Sequence, residues 1–335
     1  MTTTTDTELD AYLREMKVDS ALAALVERIA SSAIIVANHL KDAAFQNHIG
    51  SAGTTNVQGE DQKLLDVLAD RVFRKTCASA TSLAAYVSEE VEDVAWLKAP
   101  SAGDLTLYVD PLDGSSNLEV NLSVGSIFAV SKVLADGDRS VLRTGREYLC
   151  AGYAIYGPST LFVITFGVGV VGFTLDPSDG SFKLTDVCMR VPQETNEFAI
   201  NASRQRFWDE PIRRYVDECL AGSTGPRGRD FNMRWTASMV ADVHRILTRG
   251  GVFLYPADES NRQSGGKLRL MYEANLMAFL IEAAGGAAST GTEDILAIQP
   301  QGHHQRVSVL LGSSIEVERL TEFHQSHHLQ EEIAS

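Results

Sequence analysis

The texture of the chain changes near residue 190, and that change limits the folds open to it. From about 105 to 185 the runs VGSIFAVSKVL, YAIYG, TLFVIT and VVGFTL are rich in Val, Ile, Phe and Tyr, side chains that suit a pleated, packed surface. Pro177-Ser-Asp-Gly180 lies between two strand-like runs and predicts a hairpin. After about 195 the pattern alternates. FAIN, GVFLYP and RVSVLLGS read as strands. SMVADVHRILTRG and YEANLMAFLIEAAGG read as helices, and a closing helix starts near 315. Two helical stretches come first. One covers 20–40, with Ser20 as its expected cap, and one runs from Glu60 to Cys77. The expectation is an α/β protein of two sheet-and-helix units. Residues 1–195 form the first, and 196–335 the second. No period of 20–50 residues repeats, which excludes a solenoid. The polar tail after Glu322 is expected to be loose.

Within the first unit, Asp110-Pro-Leu-Asp-Gly-Ser-Ser-Asn117 is the most informative segment. It follows the strand-like run Leu105-Thr-Leu-Tyr-Val109, so it is expected where a strand ends and the chain turns. Such a place sets hard oxygen ligands beside free backbone N–H groups. The first suit Mg²⁺ or Mn²⁺ and the second suit a phosphate, so together they imply phosphoryl chemistry.

The net charge of −15 argues against a nucleic-acid partner, since no basic stripe offsets it. It also disfavours an anionic substrate unless metals and a few placed cations invert the local field. The apolar fraction of 44% allows a large core. The four cysteines, at 77, 150, 188 and 219, form no CxxC pair; free thiols in a reducing cytoplasm are expected. The polar N-terminus lacks a signal pattern, and the longest apolar run, 161–173, is too short to span a bilayer.

Carboxylates recur in tight groups. Glu60 and Asp66 bracket the start of the second helix, Glu89 and Glu90 are adjacent, and Asp110 and Asp113 bracket Pro-Leu. Glu273 is expected to open a helix. Acids so close repel one another unless a cation lies between them, which points to a multi-metal site.

The octapeptide resembles the metal-binding signature of the lithium-sensitive sugar and inositol phosphatases. Thr55-Asn-Val-Gln-Gly-Glu60, Ser238-Met-Val-Ala-Asp-Val-His244, Gly251-Val-Phe-Leu-Tyr-Pro256 and Gly266-Lys-Leu-Arg-Leu-Met-Tyr-Glu273 narrow it. With Arg306, these resemble class I fructose-1,6-bisphosphatase, in order and spacing, from about 20 to 325. The resemblance implies a layered α-β-α-β-α sandwich and hydrolysis of a sugar 1-phosphate by metal-activated water, in gluconeogenesis or the Calvin cycle. It implies two or three Mg²⁺ per subunit, with Mn²⁺ able to substitute. Glu89, Asp110, Asp113 and Glu273 would hold one ion; Glu89, Asp110 and the Leu112 carbonyl would hold a second. Glu60, Asp66 and Glu90 would sit by a third and polarise the attacking water. Gly114, Ser115 and Ser116 would bind the 1-phosphate. Asn201, Arg234, Tyr255 and Lys267 would grip the sugar and its 6-phosphate. The arginine would reach over from a neighbouring subunit, so the resemblance implies an oligomer, expected as a homotetramer; composition and charge give the separate expectations of a cytoplasmic location and no nucleic-acid or membrane partner.

The chain departs from the family at several places. Trp235 and Arg204 stand where tyrosines are usual, so the second phosphate pocket is expected to be retuned, with Arg204 adding bidentate phosphate binding. Lys17-Val-Asp-Ser-Ala-Leu-Ala23 lacks the donors of the AMP-binding turn. Asp104 and Leu105 replace the Lys-Tyr pair that would hold AMP, so weak or no AMP inhibition is expected. Two rivals remain: a sedoheptulose-1,7-bisphosphatase or dual-specificity enzyme, and a catalytically silent sugar-phosphate-binding regulator.

Overall fold

The computed structural model describes residues 6–42, 51–55, 61–134 and 141–334. The chain divides into two compact units. The first comprises Met1–Arg143, Glu147–Met189 and Ser238–Ala241; the second comprises Thr144–Arg146, Arg190–Ala237 and Asp242–Ser335.

In the first unit, helices α1 (Leu9–Glu15), α2 (Ser20–Asp42) and α3 (Leu64–Cys77) accompany a small ribbon of β1 (Ser51–Thr55) and β2 (Asp61–Lys63) and one large sheet. The sheet holds β3 (Leu83–Ser88), β4 (Ala95–Trp96), β5 (Leu105–Asp113), β6 (Val124–Lys132), β7 (Tyr148–Tyr156), β8 (Thr160–Thr165), β9 (Val170–Leu175) and β10 (Phe182–Met189). Its strand order is β10-β9-β8-β7-β6-β5-β3-β4. From β5 to β10 every neighbour is antiparallel; β3 lies parallel to β5. The hairpin expected at 177–180 joins β9 to β10. Leu25, Ile29 and Ala33 of α2 and Phe73 of α3 pack with Leu107, Phe128, Phe162 and Phe173 of the sheet in one core.

Three local features differ from the sequence expectations. Asp19, rather than Ser20, caps α2: its Oδ1 accepts from the N–H groups of Ala21 (3.0 Å) and Leu22 (3.2 Å), because its carboxylate reaches the orphan donors of the first turn. The next helix starts at Leu64, where Asp66 reaches back to the Lys63 N–H at 2.8 Å. Helix α2 is also long and apolar enough to cross a membrane by length and composition, with a mean hydropathy of 1.7. Its apolar face is the one buried in the core, which accounts for that composition.

In the second unit, β11 (Glu197–Ile200) is followed by α4 (Glu210–Ala221), β12 (Asn232–Met233), α5 (Met239–Arg249), β13 (Val252–Tyr255), β14 (Leu268–Arg269), α6 (Asn275–Ala283), β15 (Ala287–Ser289), β16 (Arg306–Val307), β17 (Val309–Gly312) and α7 (Ser314–Ala334). The first turn of α5 groups with the first unit. The main sheet has the order β12-β11-β13-β17-β15, with β12, β11 and β13 mutually parallel. Phe198, Val252, Leu254 and Leu310 meet Tyr215 of α4 and Leu320 of α7 in its core. The tail expected to be loose is helical to Ala334, anchored where Phe323 is buried among α4 side chains.

Candidate active site

Strand β5 does not end before the acidic motif. It runs through Asp113, and all nine of its residues are buried. The extended pairing carries the aspartates into the sheet rather than onto a turn. Asp110 pairs with Ile127 and Asp113 with Gly125, so three steps along β5 match two along β6. A regular strand places residues three apart on opposite faces; the extra residue at this bulge brings them to one side. Carboxylate oxygens of Asp110 and Asp113 accordingly lie within 4.8 Å of each other. Pro111 is tolerated in this central strand because the bulge relaxes the ladder there. The Leu112 N–H donates to Asp110 Oδ1 at 3.0 Å, and Ser126 Oγ donates to the Pro111 carbonyl at 2.7 Å, which fixes the bulged segment.

Asp113 is held by residues far away in sequence. Its Oδ2 accepts from Ser238 Oγ at 2.6 Å and from the Val240 N–H at 3.0 Å, and Oδ1 accepts from the Met239 N–H at 3.3 Å. The carboxylate therefore sits on the free N–H groups at the start of α5. Burial pushes its pKa up to about 6 despite these hydrogen bonds, and the charge of Glu89 adds to the rise. Gly114 follows with φ +75, and a Cβ there would stand 2.7 Å from Ser238 Cβ. Both backbone sign and space call for glycine. Beyond it a short 3₁₀ turn, Ser115–Val120, offers the N–H groups of its first residues.

Asp66 lies on the first turn of α3. Ser115 Oγ donates to its Oδ2 at 3.3 Å, while its buried Oδ1 has no hydrogen-bond partner among the described residues. Burial raises its pKa to about 6, with a further push from Glu89. Glu89 is buried at the end of β3, and its N–H donates to the Val109 carbonyl at 3.2 Å. Glu90, half-buried, takes its N–H to Ser88 Oγ. Ser88 Oγ and Tyr86 Oη both donate to Asp70 Oδ1, at 2.6 and 2.8 Å, pinning α3 to β3 behind the acids. Asp66, Glu89, Asp110 and Asp113 thus share the β5 end of the first unit. Glu60 lies outside the described residues.

The second unit carries the remaining candidates. Glu273 does not open a helix; it sits on the π turn Leu270–Ala274, buried, accepting from the Arg269 N–H at 2.6 Å. This wider turn follows β14 directly, and α6 begins only at Asn275. Ile200 pairs with Leu254 in parallel strands, so Asn201 and Tyr255 stand together at the carboxyl ends of β11 and β13, a usual place for ligands. Asn201 Oδ1 accepts from the Ser203 N–H at 3.2 Å and Ser203 Oγ at 2.7 Å. The rings of Trp235, Phe253 and Tyr255 cluster, with Trp235 5.9 and 5.7 Å from the centroids of Phe253 and Tyr255 and those two 6.2 Å apart. Arg234, half-exposed, is 3.7 Å from Glu197. Lys267 is half-buried just before β14.

Arg204 departs from its expected role. Its Nε and Nη2 each bond Asp258 at 2.9 Å, so the fork that would grip a phosphate is already closed on a carboxylate. Asp258 carries no functional signal in the sequence, because one aspartate in a polar loop looks like turn chemistry. Ser238 stands in the sequence as part of a longer motif. Its sequence signal was that of a helix cap, a serine directly before an apolar periodic run.

The protein-family profile "Fructose-1-6-bisphosphatase, N-terminal domain" matches residues 2–187, and "Fructose-1-6-bisphosphatase, C-terminal domain" matches 191–325. A curated relative from Methylobacillus flagellatus, "Fructose-1,6-bisphosphatase class 1", is 50% identical over 313 residues, covering 93% of this chain and 94% of its own. The crystal structure of Leishmania major fructose-1,6-bisphosphatase in holo form superposes with a TM-score of 0.90 at 33% identity, over 96% of this chain and 99% of that one.

Proposed function

The chain belongs to the class 1 fructose-1,6-bisphosphatase family, and from that membership we infer that it hydrolyses the 1-phosphate of fructose 1,6-bisphosphate to fructose 6-phosphate and orthophosphate. The observation that carries the chemistry is the acidic cluster at the end of β5. Two buried carboxylates lie within 4.8 Å of each other, and the acceptor Oδ1 of Asp66 is buried and unpartnered among the described residues. Hard oxygen donors of this kind suit Mg²⁺ or Mn²⁺.

In this reading Glu89, Asp110, Asp113, Glu273 and the Leu112 carbonyl would hold two Mg²⁺, and Asp66 and Glu90, with Glu60 by family resemblance, would serve a third. When bound, the ions neutralise phosphoryl charge and ease deprotonation of water. Asp66 or Glu90 takes the proton of the attacking water; a pKa near 6 lets Asp66 act as a base at neutral pH. The new P–O bond forms as the bond to the sugar O1 breaks, and the departing alkoxide takes up a proton. Backbone N–H groups of Gly114, Ser115 and Ser116 receive the phosphoryl oxygens. Asn201, Tyr255 and Lys267 orient the sugar through its 6-phosphate, and Trp235 presents an indole N–H to the same pocket. Arg234, exposed with its Nε 3.7 Å from Glu197, would extend to a neighbouring subunit's pocket in a homotetramer. The work is that of a cytoplasmic enzyme of sugar metabolism, in gluconeogenesis or carbon fixation.

The test is phosphate release from fructose 1,6-, sedoheptulose 1,7- and inositol phosphates with Mg²⁺ or Mn²⁺. Release from fructose 1,6-bisphosphate is expected to dominate. No release from any of them would replace this reading with that of a silent sugar-phosphate binder.

A further inference from the structure

Three ties join the segment 201–209 to the loop 256–266. Arg204 closes its fork on Asp258, with Nη2 also bonding Ser260 Oγ. The Glu259 N–H donates to the Phe207 carbonyl at 3.1 Å. Arg262 pairs with Asp209, next to the start of α4. The loop is also organised around Asp258. Its carboxylate accepts from the Ser260 N–H (3.0 Å) and Oγ (2.7 Å), its N–H donates to Asn261 Oδ1 (2.8 Å), and its carbonyl accepts from the N–H groups of Asn261 and Arg262. The Asp258 side chain is 4% exposed. The Arg204 guanidinium lies over the Phe207 ring, 4.5 Å from its centroid, which fixes the plane of the fork.

What the tied segments carry is the reason to look beyond stability. The first begins at Asn201. The second starts just after Tyr255 and ends just before Lys267. We propose that Arg204 and Asp258 are a positioning pair that sets the spacing of Asn201, Tyr255 and Lys267 for the second phosphate of the substrate, with Arg204 itself not touching that phosphate. The proposal rests on the functional reading above and deepens it. An arginine bonded through two of its nitrogens to a buried carboxylate has lost the edge that grips phosphate bidentately, and its charge is already met. Losing either partner frees the loop and misplaces three phosphate contacts together, an effect on binding rather than on the reacting phosphoryl group.

The two roles give opposite predictions for Asp258. The full chain and its variants Arg204→Gln, Asp258→Asn, the double variant and Arg204→Lys are titrated with fructose 6-phosphate by calorimetry, and assayed with fructose 1,6-bisphosphate. Both single variants are expected to weaken fructose 6-phosphate binding by about tenfold, and the double variant no further, since the two residues act as one unit. KM should rise in step while kcat changes less than about twofold, and Arg204→Lys should recover part of the loss. Tighter or unchanged binding in Asp258→Asn beside weakened binding in Arg204→Gln would overturn the proposal, because Arg204 would then be contacting phosphate directly. Unchanged binding in both would overturn it as well. Should Arg204→Gln or Asp258→Asn not fold, Arg204→Lys carries the test: a KM rise without a kcat loss supports the pair, and unchanged KM overturns it. A wild-type chain that binds fructose 6-phosphate but releases no phosphate from the bisphosphate would overturn the phosphatase reading and leave the pair standing.

Discussion

Ser238 Oγ donates to Asp113 Oδ2 at 2.6 Å across 125 positions of chain. The hydroxyl also accepts from the Ala241 N–H at 3.3 Å, so one side chain both caps α5 and fixes an acid of the reaction centre. Ser238→Ala is expected to cost about 1–2 kcal/mol of stability. It should also lower kcat by roughly tenfold, by loosening Asp113. Denaturant unfolding and steady-state kinetics check the two parts. Asp113→Ala should abolish phosphate release while keeping the fold by circular dichroism; unchanged release at saturating Mg²⁺ would remove Asp113 from the centre.

Gly114→Ala meets two obstacles at once, φ +75 and Ser238 Cβ at 2.7 Å from the new methyl. A loss of about 2 kcal/mol or more is expected, against about 1 for the dihedral alone. Gly180→Ala supplies the control, with φ +75 and nothing within 4 Å. Equal losses in the two variants would show that the approach of Ser238 does not matter.

Burial pushes Asp66 up to about 6, above its ordinary 3.8. A raised folded pKa means the folded chain binds this proton more tightly than the unfolded chain. Its contribution is therefore favourable at low pH and is lost as pH rises from about 4 through about 6. In metal-free protein, Asp66→Asn should gain on wild type by about 2 kcal/mol between pH 4 and pH 7. Saturating Mg²⁺ should shrink or reverse that gain at pH 7. Thermal unfolding at both pH values, with and without chelator, reads it; a variant that loses ground as pH rises would refute the burial argument.

Asp104, at the position where the family resemblance implies an AMP-holding lysine, is 11% exposed and bonded to Lys98 Nζ at 2.7 Å and to the Ser101 N–H at 2.8 Å. Lys98 is thereby already paired with a carboxylate. Phosphate release should be unchanged by AMP at concentrations matching the substrate, and strong inhibition would contradict this.

Glu316 is wholly buried between Arg227, at 2.5 Å, and the Tyr215 hydroxyl, at 2.7 Å, with Arg229 at 3.1 Å. Glu316→Gln leaves a buried guanidinium without its counter-charge. A loss of about 3 kcal/mol or more in denaturant unfolding is expected.

Much of the fold was legible because its elements obey local rules. The helix at 20–42 has one apolar face, and the strands from 124 to 175 are β-branched and aromatic, so period and composition were enough. The acids themselves were legible too, as clusters that need a cation. What local pattern hides is partnership at long range. Nothing near Asp113 announces Ser238, and nothing near Arg204 announces Asp258, 54 positions away. An arginine in place of a phosphate-binding tyrosine suggested a new phosphate ligand, and only the buried carboxylate opposite redirects it. The π turn at Glu273 is hidden for a different reason: its sequence, Leu270-Met-Tyr-Glu-Ala274, does not differ from that of an ordinary helix start.

The bulge between Asp110 and Asp113 makes the count of residues between them a fixed quantity. Removing Pro111 or Leu112 would restore a regular ladder and send one aspartate into the apolar packing on the opposite face of the sheet. Adding a residue would do the same by the next step of alternation. Side chains at 111 and 112 can therefore vary in evolution while the length between the aspartates cannot, and a one-residue deletion there should be more damaging than any single substitution at either position.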